Sequence, residues 1–145
     1  MSMTAIGPET VVYRFFNEVI NGGNLDAVDD LLAEDLHWDG GSLGEYHGLA
    51  EYRVVLERLA GGFGGISGMH LNIQETIASG NKVVIRFINS AVHTGTYHGA
   101  APTGRSAEWL CIGIYTVIDG KITDICIAED MLGALKQFGS VSLEG

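Results

Sequence analysis

Basic side chains are few in this chain: 8 Lys and Arg stand against 18 Asp and Glu, a net charge of −10. A field of that sign repels polyanions, and no Lys/Arg cluster offsets it locally. Nucleic acid and anionic membrane surfaces are therefore not expected as partners. Long apolar runs are also missing, with none near the roughly 18 residues that span a bilayer. No basic stretch followed by an apolar one opens the chain, so no signal peptide is expected and a cytoplasmic location is. Cysteine is limited to Cys111 and Cys126, expected as free thiols in a chain without an export signal. Whether the two share a face depends on the turn at Asp119-Gly120. A two-residue turn puts them on one face, and a three-residue loop with Gly120 left-handed puts them on opposite faces. Phosphate-loop chemistry is not expected either, because no Lys-Ser/Thr follows the glycine-rich stretch from Gly61 to Gly68. That stretch reads as a linker or a lid. His37, His47, His70, His93 and His98 are scattered without metal-ligand spacing, so no metal site is expected.

What is present is enough for one domain over 1–145: 46% of the 145 residues are apolar and 8% aromatic, which excludes a disordered chain. Pro8 suits the first turn of a helix, and Val11, Val12, Phe15, Phe16, Val19 and Ile20 recur at helical spacing until Gly22-Gly23. Asn24 caps a second, shorter helix with Leu25, Val28, Leu31 and Leu32 inward, and a brief strand, Leu36 to Asp39, follows it. A third helix, about 49–60, presents Tyr52, Val55, Leu56 and Leu59. From Met69 the period becomes strand-like, with strands expected at about 69–78, 82–93, 106–117 and 121–129. Asp130 caps a last helix that Gly139 stops. Helices followed by a four-stranded antiparallel meander make an α+β plan. The last two strands are apolar on both faces, Trp109, Cys111, Tyr115 and Val117 on one, and Leu110, Ile112 and Ile114 on the other. Helices can cover only one of these, so a homodimer through the sheet is expected to cover the other.

A set of short motifs runs through the chain in fixed order: Phe15-Phe16, Asn21-Gly22-Gly23-Asn24-Leu25, Leu31-Leu32-Ala33-Glu34-Asp35, His93-Thr94-Gly95, Pro102-Thr103-Gly104-Arg105, Asp119-Gly120-Lys121-Ile122 and Leu132-Gly133. In order and spacing this series resembles the SnoaL-like polyketide cyclases. The resemblance implies a cone-shaped α+β barrel of the nuclear-transport-factor-2-like type, with N-terminal helices on a curved antiparallel sheet around a cavity. It also implies a small hydrophobic, carbonyl-bearing substrate, an intramolecular aldol closure, and neither metal nor cofactor. The histidine and aspartate that carry the acid–base work in such cyclases fall here on Gly113 and Ile127.

That departure directs attention to the remaining polar groups. Glu129, two residues from Ile127 on one strand face, is the substitute general acid or base, or else a rim carboxylate in solvent. Asp130 is retained but is fully explained as a helix cap. His93 either orients a cavity carboxylate or satisfies a strand-end carbonyl, the structural role being favoured. Arg86 could pair with a carboxylate in the pocket, as in epoxide hydrolases of this fold, or lie in a salt bridge at the sheet edge. By alternation the pocket lining is Phe16, Trp38, Tyr46, Leu56, Phe63, Trp109, Cys111, Tyr115, Ile127 and Glu129. The functional classes this supports are a cofactor-free cyclase, isomerase or hydroxylase-type enzyme, a non-catalytic ligand-binding or accessory module, and an epoxide hydrolase or ketosteroid-isomerase-like enzyme.

Overall fold

A computed structural model of the chain describes residues 7–60 and 65–142. Helix α1 (Pro8–Arg14) starts on Pro8 and continues as a six-residue π-helical turn, Phe15–Ile20. Phe15, Phe16 and Val19 of this turn are all buried in the core, as their spacing leads one to expect. The expected second helix is a 3₁₀ turn, Leu25–Ala27, capped by Asn24, followed by the single turn α2 (Val28–Leu31). Leu32, expected on that helix, instead opens β1 (Leu32–Asp39). Then come the three-residue β2 (Glu45–His47), α3 (Leu49–Ala60), β3 (Ile66–Ser79), β4 (Lys82–His93), β5 (Ser106–Ile118), β6 (Lys121–Glu129) and α4 (Met131–Phe138).

The sheet has six strands rather than four, in the order β2-β1-β6-β5-β4-β3. It is also mixed rather than antiparallel throughout, since β1 runs parallel to β6. The expected strand Leu36 to Asp39 is the second half of β1, and two features hide its first half and β2 in the sequence. A register shift between Leu32 and His37 breaks the period-two signal of β1, and β2 is only three residues long. Further bulges interrupt β3–β4 and β5–β6 and bend the sheet, which stays unclosed. The N-terminal helices fill the concave side. There the Phe16 ring meets Phe87 edge-on at 5.0 Å and Tyr115 at 5.6 Å, a geometry aromatic quadrupoles favour.

The β5–β6 turn settles the cysteine question in an unforeseen way. Asp119 and Gly120 both have positive φ, 51° and 77°, as a two-residue type I′ hairpin turn requires. That turn alone would put Cys111 and Cys126 on one face. A bulge between Thr116 and Val117 shifts the ladder by one residue, so Cys126 pairs with Ile114 and Cys111 with Glu129. The thiols consequently lie on opposite faces, Cys111 buried and Cys126 exposed, both free.

Candidate functional site: a cavity with one carboxylate

Between the concave sheet face, α3, the π-helical turn and the 94–105 loop lies a cavity of about 430 Å³. Its wall is mostly apolar and aromatic. Trp38 and Tyr46, paired across β1–β2, contribute rings 5.4 Å apart, and Tyr52 of α3 stacks on Trp38 at 5.7 Å. The Trp38 indole N–H is buried and makes no hydrogen bond among the described residues.

On the cavity side of β5 and β6 three rungs follow one another: Tyr115–Ile125, Gly113–Ile127 and Cys111–Glu129. The middle rung joins the two positions at which the resemblance puts the cyclase acid–base pair. A side chain at Gly113 would have to displace Tyr115, because a Cβ there would lie 2.8 Å from both Cε1 and the hydroxyl oxygen of that residue. The Tyr115 ring fills the space that a histidine would need.

The next rung holds a carboxylate. Glu129 is the single carboxylate in the wall among the described residues. Its Oε1 accepts from Trp109 Nε1 at 2.9 Å, from Cys111 Sγ at 3.4 Å and, more weakly, from Asn89 Nδ2 at 3.5 Å. Oε2 makes no hydrogen bond among the described residues. Burial, and then the neighbouring Glu129 charge, push the Cys111 thiol up, so it stays protonated and is a donor only. Burial does the same to Tyr52, with smaller contributions from Tyr46 and Glu129, and to Tyr115, whose neighbours Tyr52 and Cys111 add to it. Tyr97 is pushed up to about 12, by burial first and the Glu129 charge second. The site thus combines one fixed carboxylate with phenols held neutral, in a mostly apolar pocket.

The other expected site residues are distributed as follows. Trp38, Tyr46, Trp109, Tyr115, Ile127 and Glu129 line the cavity. Phe16, Leu56 and Cys111 do not: each is packed into the core at 2% exposure or less, Phe16 behind Phe87 and Tyr115, with Phe15 reaching the cavity in its place. Phe63 lies outside the described residues. His93 is fully buried away from the cavity, its Nδ1 3.1 Å from Thr103 Oγ1. Its backbone bonds Arg105 and Gly104, so this residue pins the 94–105 loop. Asp130 caps α4 through Gly133 N at 2.9 Å, and Gly133 must be small because a Cβ there would run into the Asp130 carboxyl. Arg86 points out of the cavity and pairs with Glu75 at 3.2 Å on the exposed side. Sequence reasoning missed Asn89, although it alternates inward on β4 with Val83, Ile85 and Phe87 and was findable as the lone polar residue of that series. It also missed Tyr97, which sits in a loop without periodicity and carries no such signal.

The model of the SnoaL-like polyketide cyclase family matches residues 10–138. The chain belongs to that family. Solved structures agree on the fold. A candidate SnoaL-like polyketide cyclase from Jannaschia sp. CCS1 superposes with a TM-score of 0.81 at 16% identity, covering 98% of this chain and 99% of that one. The candidate hydroxylase AclR of Streptomyces galilaeus gives 0.76 at 19% identity, covering 95% and 88%. An M. tuberculosis LEH-like epoxide hydrolase gives 0.72 at 20%, covering 90% and 88%. No curated protein matches the sequence significantly. Members of this SnoaL-like fold therefore bear the names of different chemistries, and the reaction must be argued from the site.

Proposed function

We propose that this SnoaL-family chain is a cofactor-independent acid–base enzyme acting on a small hydrophobic, carbonyl-bearing molecule held in the cavity, with Glu129 as the proton-transfer group. One observation carries the reading: among the described residues, a lone carboxylate in a mostly apolar wall has one oxygen fixed by three donors and the other unengaged. The Oε2 lone pair takes a proton from carbon next to a carbonyl, leaving an enolate, and returns it to carbon or oxygen of the product. Neutral phenols such as Tyr52, whose hydroxyl makes no hydrogen bond among the described residues, are donors suited to an enolate oxygen. Chemistry of this kind needs proton transfer alone, so no cofactor enters the proposal. Ring closure by the usual cyclase pair is not proposed, since Gly113 and Ile127 cannot titrate. An epoxide-hydrolase mechanism is not proposed either, because Arg86 and Glu75 are engaged outside the cavity.

The test is deuterium exchange into a cyclic 1,3-diketone, followed by NMR. Exchange faster than buffer that falls by about 10²–10⁴-fold in Glu129→Gln is the expected result. Exchange unchanged in that variant removes Glu129 from the role. Saturable binding of the diketone with no exchange above buffer would move the protein to the second reading, a ligand-binding module without turnover, which the inert Gly113–Ile127 rung favours.

The partner we propose beyond the ligand is a second copy of the chain. Leu110, Ile112 and Ile114 form a row on the outer face of β5, each more than 40% exposed, and Ile77 of β3 lies beyond Val84 on the same face. A contiguous apolar strip of this kind fits a sheet-to-sheet dimer. Sedimentation of the wild type as a dimer and of Ile112→Glu as a monomer is expected. A monomeric wild type overturns the dimer. Location in the cytoplasm and the lack of a nucleic-acid partner remain parts of the proposal, the latter resting on the net charge of −10. Among the described residues no helix is long and apolar enough to cross a membrane.

A further inference from the structure

On the opposite side of the β1–β2 hairpin from the cavity, the register pairs His37 with His47 and stacks their rings at 4.9 Å and 21°. Glu45 comes between them: its Oε2 lies 3.4 Å from His47 Nε2 and 3.8 Å from His37 Nε2, and one ligand atom from each of the three lies within 4.8 Å of the other two. A tetrahedral zinc ion with bonds of about 2.0–2.2 Å separates its ligand atoms by about 3.3–3.5 Å. Small side-chain rotations close the remaining gap. On the other side of the His37 ring, Nδ1 faces Asp124 Oδ1 of β6 at 3.9 Å. A metal-binding imidazole usually donates its second N–H to just such a carboxylate.

We infer that His37, His47 and Glu45 form a divalent transition-metal site, with zinc the best match to two imidazoles and a carboxylate, and with Asp124 orienting His37 from the outer shell. Three protein ligands leave the fourth position to water. Surface His–carboxylate contacts alone contribute little, and they do not require both imidazole Nε2 atoms to converge on one carboxylate oxygen. The site is separate from the cavity but shares its frame. Trp38 and Tyr46 alternate with these ligands and point inward from the same two strands. Zinc would therefore clip the three-residue β2 to β1 and hold the aromatic corner of the cavity in place.

The test uses untagged full-length protein stripped of metal with a chelator. Calorimetric titration with Zn²⁺ is expected to give one ion per chain, and Co²⁺ substitution a visible absorption band. The double variant His37→Asn/His47→Asn should abolish both. Asp124→Asn should weaken binding about ten-fold, the outer-shell range. Cys126→Ser should bind zinc as the wild type does. The clip predicts slower amide hydrogen exchange over 45–47 with zinc in the wild type alone. No stoichiometric binding, equal binding by the double His variant, or loss of binding in Cys126→Ser overturns the site. Unchanged affinity in Asp124→Asn overturns the outer-shell role, and unchanged exchange over 45–47 overturns the clip.

Discussion

Two adjacent rungs of one strand pair face the same cavity with opposite capacities. Gly113–Ile127 offers nothing that can titrate, while Cys111–Glu129 carries the one carboxylate found in the wall among the described residues. The backbone frame is common to both, so the difference lies in what occupies it. At Gly113 the space is taken by Tyr115, which closes the rung to chemistry and packs it. At Glu129 the indole of Trp109 supplies a donor, so a carboxylate is held where an apolar wall would otherwise reject it. Under the proposed function, proton transfer in this chain sits one rung from the cyclase positions, with Tyr115 filling the space left at Gly113.

The sharpest way to break this comparison is to alter each rung separately. Glu129→Gln is expected to lower diketone exchange by about 10²–10⁴-fold, and Ile127→Val to leave it within a factor of about three. Equal losses in the two variants would erase the distinction between the rungs. The packing side is tested by Gly113→Ala. Replacing a strand glycine with alanine ordinarily adds stability, by roughly 0.5–1 kcal/mol. Here the added methyl meets the Tyr115 ring, and overpacking should instead cost about 1–3 kcal/mol in urea unfolding. A variant as stable as the wild type would show that Tyr115 does not close this rung.

A smaller effect reads the electrostatics around Glu129. Tyr97 is raised from the ordinary 10 to about 12, and Tyr52 and Tyr115 are raised as well, burial being the first cause in each case. A pKa raised by folding means that the folded state holds the proton more tightly. The associated stability is therefore complete below about pH 10 and is lost as pH rises through the folded value. Urea midpoints should hold steady up to about pH 10 and then fall towards pH 12, with the Tyr52, Tyr97 and Tyr115 phenols ionising only above pH 10 in ultraviolet titration. Simultaneous ionisation of every tyrosine near pH 10 in the folded protein would show that the cavity wall is wet.

Much of the frame was legible because alternation and helical spacing report burial directly. Residues 82–93 alternate buried and less buried positions over their whole length, and β4 occupies that range. Asp130 and Gly139 bound α4, as cap chemistry dictates. Where the backbone departs from strict period, the pattern misleads. The bulge at Thr116–Val117 reverses the facing that the two-residue turn alone would give. The cavity wall was partly legible through Trp38, Trp109 and Glu129, since each sits on an expected strand whose inward set can be counted.

The sequence by itself determined the first, third and last helices, the inward set of β4 and the family, because local propensity and the period of apolar residues act within a few positions of one another. Tertiary structure alone decided which side chains meet. His37 and His47 have no ligand spacing along the chain and become a pair only when β2 folds back on β1. Glu129 gains its donors from β4 and β5, forty and twenty residues away, because hydrogen-bond geometry is set by register between strands and not by separation along the chain.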